Sequence, residues 1–382
     1  MENMTFIEKC IFVAMFSIFG VLLGYDSGNM CLIYLDFAAY FKNKEKFLKE
    51  LILSFSVGSI VGGAIFCTAR LRKLIVLLLL LIADVSAIIG CLGMSYSASS
   101  TQIYIGRGIF GVGISLMSIS MPIIIIQIWP TKCKIVATTG LAYQIGLVAS
   151  QLLVAGDGWR SLVNSYIWLL LPHLLLLVFV LCFMHKGVGQ SQSESRVDGV
   201  FQNCKGLVAS VIVQLSASVL GVKDFTKLTS ILANADLSDY VTASSLLGSI
   251  VSVFLVVKLK RKVLLVTSLL LMTVELALMG FLVPNSGPTL TKVMVCSYIF
   301  TLCSVMSGLP SVYTFEAFPK EYRGVGFAIV CLLTEILQVV IFIGLDMLTI
   351  DMGFQGSIYA YAVLSLVGLV LTHFFVFETK TT

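Results

Sequence analysis

The strongest constraint in this sequence is a succession of long apolar runs that do not alternate: Leu74–Gly93, Tyr166–Met184 and Gly356–Phe377 are almost continuously hydrophobic. In a bilayer every backbone N–H and C=O must find its partner within the protein, which leaves helices of about 20 apolar residues or a closed barrel of alternating strands. Continuous runs select helices. Composition agrees, since 58% of the 382 residues are hydrophobic and 12% charged, with a mean hydropathy of +1.01. That is too little polar surface to cover a water-soluble globule of this length.

Breaks of charge or of Gly and Ser divide the chain into twelve expected spans, at roughly 10–34, 50–68, 74–94, 103–128, 135–155, 163–184, 206–222, 240–257, 263–283, 293–314, 324–345 and 356–377. The first is too long for a signal peptide and lacks a small-residue cleavage site, so it is expected to remain. With a cytoplasmic N-terminus, sixteen of the 25 lysines and arginines fall inside, although the lysines of the first outer loop oppose that balance. Both termini are therefore expected in the cytoplasm, with the plasma membrane as the default location. The net charge of +5 sits in these short loops and needs no nucleic acid. Ten scattered cysteines, without a C-x-x-C or a Cys/His cluster, read as packing residues, so no metal or other cofactor is expected. No phosphate loop or nucleophile arrangement marks an enzyme.

The polar stretch His185–Lys205 splits the spans six and six. The expected organisation is an N-terminal bundle (1–184), a cytoplasmic linker (185–205) and a C-terminal bundle (206–382). The halves also repeat one another. Gln127-Ile-Trp-Pro130-Thr-Lys-Cys-Lys134 returns as Glu316-Ala-Phe-Pro319-Lys-Glu-Tyr-Arg323, and Arg72-Lys73 as Arg261-Lys262, all displaced by 189 residues. Duplicated six-helix units around a midplane site are the architecture of alternating access.

Four local patterns resemble one family, the sugar porters of the major facilitator superfamily. They are Gly24-Tyr25-Asp26-x-Gly28, the run from Gly106-Arg107 through Gly111, Gly113, Ser118 and Pro122 to Pro130, the segment Glu316–Gly324, and the closing Phe377-Glu378-Thr379-Lys380. The resemblance implies an all-α fold of twelve transmembrane helices in two pseudo-symmetric six-helix bundles, and a monomeric carrier of hexose-like sugars, by facilitated diffusion or proton symport. Another small polar solute, or a nutrient receptor derived from a transporter, are the alternatives. The chain departs from the family in its short first outer loop and in lacking the proline-rich segment after helix six.

The resemblance also assigns roles. Asp26 and Arg107 are implied to form the protonation pair of proton-coupled members, and an intramembrane charge costing ~3 kcal/mol should in any case face an interior partner. A static pair pinning two helices is the competing reading. Gln144 and Gln214 match the family's sugar-binding glutamines, Gln338 and Thr334 stand where it has asparagines, and Ser245 is a departure that replaces an Asn of helix eight. Val213, Val219 and Ser311 replace family amides and a tryptophan, which implies an altered sugar preference. At the cytoplasmic face, Arg72, Lys73, Lys134, Arg261, Lys262, Glu316 and Arg323, with Gln127 where the family has an acid, are implied to form a gate that ties the halves together. Glu275 and Glu335 each either line the cavity or pair with another helix. His173 reads as a packed histidine.

Overall fold

The computed structural model describes residues 6–40, 44–68, 73–129, 133–152, 159–184, 197–220, 235–283, 287–349 and 353–379. Among the described residues the regular structure is entirely helical. The helices are α1 (Phe6–Tyr40), α2 (Lys44–Thr68), α3 (Lys73–Ser95), α4 (Ser100–Ile128), α5 (Thr138–Leu152) and α6 (Trp159–Phe179), then α7 (Val197–Gln202), α8 (Cys204–Leu220), α9 (Ala235–Lys258), α10 (Arg261–Leu282), α11 (Pro288–Met306), α12 (Leu309–Ala317), α13 (Arg323–Thr349) and α14 (Gly353–Phe375). A 3-10 turn, Cys133–Ala137, leads into α5.

Among the described residues, eleven helical segments are long and apolar enough to cross a membrane. The seventh crossing, α8, is apolar but has 17 residues, or about 25 Å against a hydrocarbon core of about 30 Å. The tenth span is one crossing in two pieces, since the helix breaks at Ser307–Gly308 and α12 restarts with Pro310 in its first turn. Proline is tolerated there because its missing N–H has no partner to lose. The linker's described part holds only the short α7.

The duplication seen in the sequence is also a duplication of packing. In the first half α1 packs on α5 and α6, α2 on α4, and α3 on α4 and α6. The same pairs recur in the second half as α8 on α13 and α14, α9 on α11, and α10 on α11 and α14. The halves meet where α2 lies on α13 and α5 on α9.

Small residues set the closest crossings. A Cβ at Gly62 would fall 2.7 Å from the Val112 carbonyl oxygen, and one at Gly58 would collide with the Gly108 carbonyl. Glycine here lets α2 and α4 touch backbone to backbone, the packing that lipid cannot compete with.

Candidate functional site: a polar chamber between the halves

Helix α4 carries the first component. Ser99 caps its N-terminus by accepting from Gln102 N–H, and Gln102 reaches back with its amide oxygen to Ala98 N–H at 2.7 Å. This reciprocal cap fixes the start of the helix. Two turns on, Arg107 is 5% exposed and donates to both oxygens of Asp26 in α1, at 2.7 and 3.0 Å. Its guanidinium also lies 4.5 Å from the Phe55 ring centre and 4.9 Å from that of Phe110. A forked carboxylate contact and two aromatic faces are what a desolvated arginine requires.

The pair opens onto a cavity of about 320 Å³ lined from the first half by Ser27, Ser56, Ser59, Ser115 and Ser118, and from the second by Gln214, Ser218, Cys331, Thr334 and Glu335. A second cavity of about 310 Å³ shares Leu23, Ser118, Tyr143, Gln214 and Cys331 with it and adds Gln144, Ser307 and Ser311. The two are lobes of one chamber between the halves.

Several polar groups there have capacity to spare. Gln144 is 2% exposed; its amide N–H₂ donates to Cys303 Sγ at 3.5 Å, a weak acceptor, while its Oε1 and the Thr334 Oγ1 are buried with no hydrogen-bond partner. Gln214 donates to Thr314 Oγ1 at 3.3 Å. Pro122 lies inside α4 and has no N–H, so the Ser118 carbonyl four residues earlier lacks its usual helical donor. Buried polar atoms left unpaired are costly unless a ligand completes them.

The sequence-derived candidates divide as follows. Asp26, Arg107, Gln144, Gln214 and Thr334 converge on the chamber. Gln338 instead lines a crevice of about 20 Å³ with Ile52, Ser56 and Val219, because one turn beyond Thr334 helix α2 closes over α13. Ser245 is buried in α9, donates to the Thr242 carbonyl at 2.9 Å and lies outside both lobes. Tyr143, Ser115 and Ser59 line the chamber without having been singled out, since an isolated serine or tyrosine in an apolar run carries no pattern, and Ser118 entered only as part of the α4 motif. Glu335 faces the chamber, whereas Glu275 accepts from Ser297 and Thr301 at 2.6 and 3.1 Å and joins α10 to α11. His173 is fully buried, with Nδ1 3.0 Å from each oxygen of Asp84.

The described gate residues of the second half bond mostly within that half. Glu316 accepts from Arg261 Nε and Nη2, both at 2.9 Å, and from Thr379 Oγ1 at 2.8 Å. Glu378 accepts from the backbone N–H of Arg261 and Lys262 at 2.9 and 3.1 Å, and Lys262 Nζ donates to the His373 carbonyl. Arg323 donates to the Phe318 carbonyl at 3.2 Å. These contacts bind α10, α12 and the chain's end within the second half; they do not cross between halves. Charge in α12 is satisfied by the nearest cation, on α10 of the same bundle. Gln127 is half-buried at the end of α4; Arg72 and the side chains of Lys73 and Lys134 lie outside the described residues.

Two repeated helical bundles enclosing a buried polar chamber define a multi-pass integral membrane protein of the major facilitator fold. The fold matches the solved proton:xylose symporter XylE bound to 6-bromo-6-deoxy-D-glucose, with a TM-score of 0.78, 17% identity and coverage of 97% of this chain and 96% of that one. The family model described as "Sugar (and other) transporter" matches residues 183–382, more than half of the chain, and the protein belongs to that family. Among curated relatives, "Probable inositol transporter 2" of Arabidopsis thaliana is 31% identical over 175 residues, 43% of this chain and 29% of the plant protein. The match thus spans less than a third of that relative's length. "Glucose transporter GlcP" of Staphylococcus epidermidis is 22% identical over 423 residues, 94% of this chain and 92% of the bacterial one.

Proposed function

We propose that this protein carries a small polyhydroxylated solute, a hexose or an inositol, across the membrane by alternating access. The observation that carries the reading is the chamber between the halves, where Gln144 and Thr334 offer unused hydrogen-bonding capacity to a molecule whose hydroxyls both donate and accept. Gln214 contributes a weakly held amide from the second half. The similarity to inositol and glucose transporters supports the same solute class.

In this reading residues 1–184 and 206–382 act as two bodies joined by the 185–205 linker, working as a monomer in the plasma membrane with both termini cytoplasmic. The solute binds between the bodies, and the rocking of one on the other exposes it to each side in turn. Asp26 is the group that takes up a coupling proton. Protonation removes its charge, leaves the Arg107 guanidinium without its forked contact and so ties the state of the pair to the shape of the chamber. The Glu316 cluster holds the second body together as it moves.

Uptake of labelled glucose and myo-inositol into proteoliposomes, with and without an inward proton gradient, tests both parts. Accumulation driven by the gradient, and abolished in Asp26→Asn while exchange persists, is the expected outcome. Flux indifferent to the gradient in both proteins eliminates the proton step, and binding without flux replaces the carrier by a receptor.

A further inference from the structure

Glu335 places a second carboxylate in the chamber, on the opposite half from Asp26. It lies on α13, which packs against both α2 and α4, and it lines the same lobe as the Asp26–Arg107 pair. Helix α2 provides a common ruler for its height. Arg107 stacks over Phe55, while a Cβ at Gly63 would rest on Leu332 at 3.2 Å. Because α2 and α13 run in opposite directions, Glu335 stands level with about Ile60. Five residues separate that height from Phe55, an axial offset of about 7.5 Å. A guanidinium on its flexible stem and a glutamate can together span that offset when the halves approach.

Around the pair stand Tyr25 on α1, Cys91 on α3, Tyr143 on α5, Tyr166 on α6 and Cys331 on α13, with two further carboxylates beyond them, Asp84 on α3, held by His173 Nδ1 at 3.0 Å, and Glu50 on α2, bonded to Tyr104 one turn before Arg107. Helices α2 and α8 bring Phe55, Ser56, Ser59, Gln214 and Ser218 to the lining. Thiols and phenols are neutral at ordinary pH, and Asp84 and Glu50 are bonded within the first half, so Glu335 is the carboxylate that the second half presents to Arg107 in the chamber. A buried guanidinium deprived of its counter-charge is strongly driven to find another.

We infer that Glu335 is the alternate partner of Arg107: once a proton from water in the chamber binds a carboxylate oxygen of Asp26, the guanidinium keeps its charge, crosses to Glu335 and draws α4 and α13 together. The inference rests on the reading of the chamber as a carrier's central site. It supplies a bond between the halves that exists in one state and is broken in the other, which is how a local protonation biases a two-state equilibrium.

A double-mutant cycle on the full chain tests it, with Asp26→Asn standing for the protonated acid. Melting temperatures in detergent are measured for the wild type, Asp26→Asn, Glu335→Gln and the double variant. The double variant is expected to lose more than the sum of the two single losses, because only there has Arg107 lost both chamber carboxylates. The excess should vanish when the cycle is repeated in an Arg107→Gln background, which a merely structural role of Glu335 would not produce. Additive losses with Arg107 present overturn the exchange. Where Asp26→Asn does not accumulate, the wild type and Glu335→Gln are melted across falling pH: a steeper acid loss in Glu335→Gln is expected, and parallel curves overturn the inference. A wild type that moves no labelled hexose or inositol removes the carrier reading but leaves the cycle intact, whereas additive losses with normal flux remove the exchange alone.

Discussion

An arginine with 5% of its surface exposed, among helices that cross a membrane, is tolerable only while its charge is matched. Arg107 meets that condition through Asp26, Phe55 and Phe110. Arg107→Gln strands the Asp26 carboxylate, and breaking such a pair costs about 3–5 kcal/mol, so a clearly lowered melting temperature is expected in detergent. The chamber's amides are weaker levers. Gln214→Ala removes one contact worth about 0.5–1.5 kcal/mol to a bound solute, a rise of about 2- to 12-fold in the transport KM. Gln338→Ala, whose side chain lines the α2–α13 crevice, should leave KM within about 2-fold of the wild type on the same scale. Equal effects of the two substitutions in uptake assays would put the solute elsewhere.

Among the elements, the divided tenth span has the most direct consequence. At its break Gly308 lies against the first half, where a Cβ would come within 2.8 Å of the Ala137 backbone, and Gly140 faces Ser307 at a similar separation. Neither half can approach so closely with a larger side chain there. Gly308→Val is expected to keep the halves folded but to hold them apart at this end. Flux should then fall by at least 10-fold, at the ~1.4 kcal/mol that tenfold represents, with little change in melting temperature. Unaltered exchange in this variant would show that the contact is not remade during transport. The tolerance of Pro310 beside it comes from position, since the first turn of a helix has no carbonyl waiting for that N–H.

For the molecule as a whole, the proposed rocking of one bundle on the other would remodel the chamber where the halves meet, at α2–α13 and α5–α9. Besides the Gln144–Cys303 contact, a hydrogen bond links the halves at the far end of α5, from Thr242 Oγ1 to Gln151 Oε1 at 2.8 Å. The Glu316 cluster belongs to a different level, because Arg261, Thr379 and Glu378 secure the chain's end to its own bundle. Glu316→Gln should therefore speed amide hydrogen exchange at the end of α14 and in residues 376–379, without changing the access of either side to the chamber. A change confined to chamber access would return the cluster to a role between the halves.

The sequence by itself determined that the chain is built of apolar helices and that its halves repeat. Unbroken apolar runs leave a buried backbone no alternative, and a displacement of 189 residues repeats on its own. It also marked Asp26 and Arg107, because a charge within such a run requires an interior partner. The tertiary structure alone decided which hydroxyls and amides share a chamber. Gln338 and Thr334 lie on one face of α13, and only the lie of α2 separates them. It likewise decided that Glu316 bonds to Arg261 within its bundle, since motif spacing fixes a charge's height along a helix but not the neighbour it will meet.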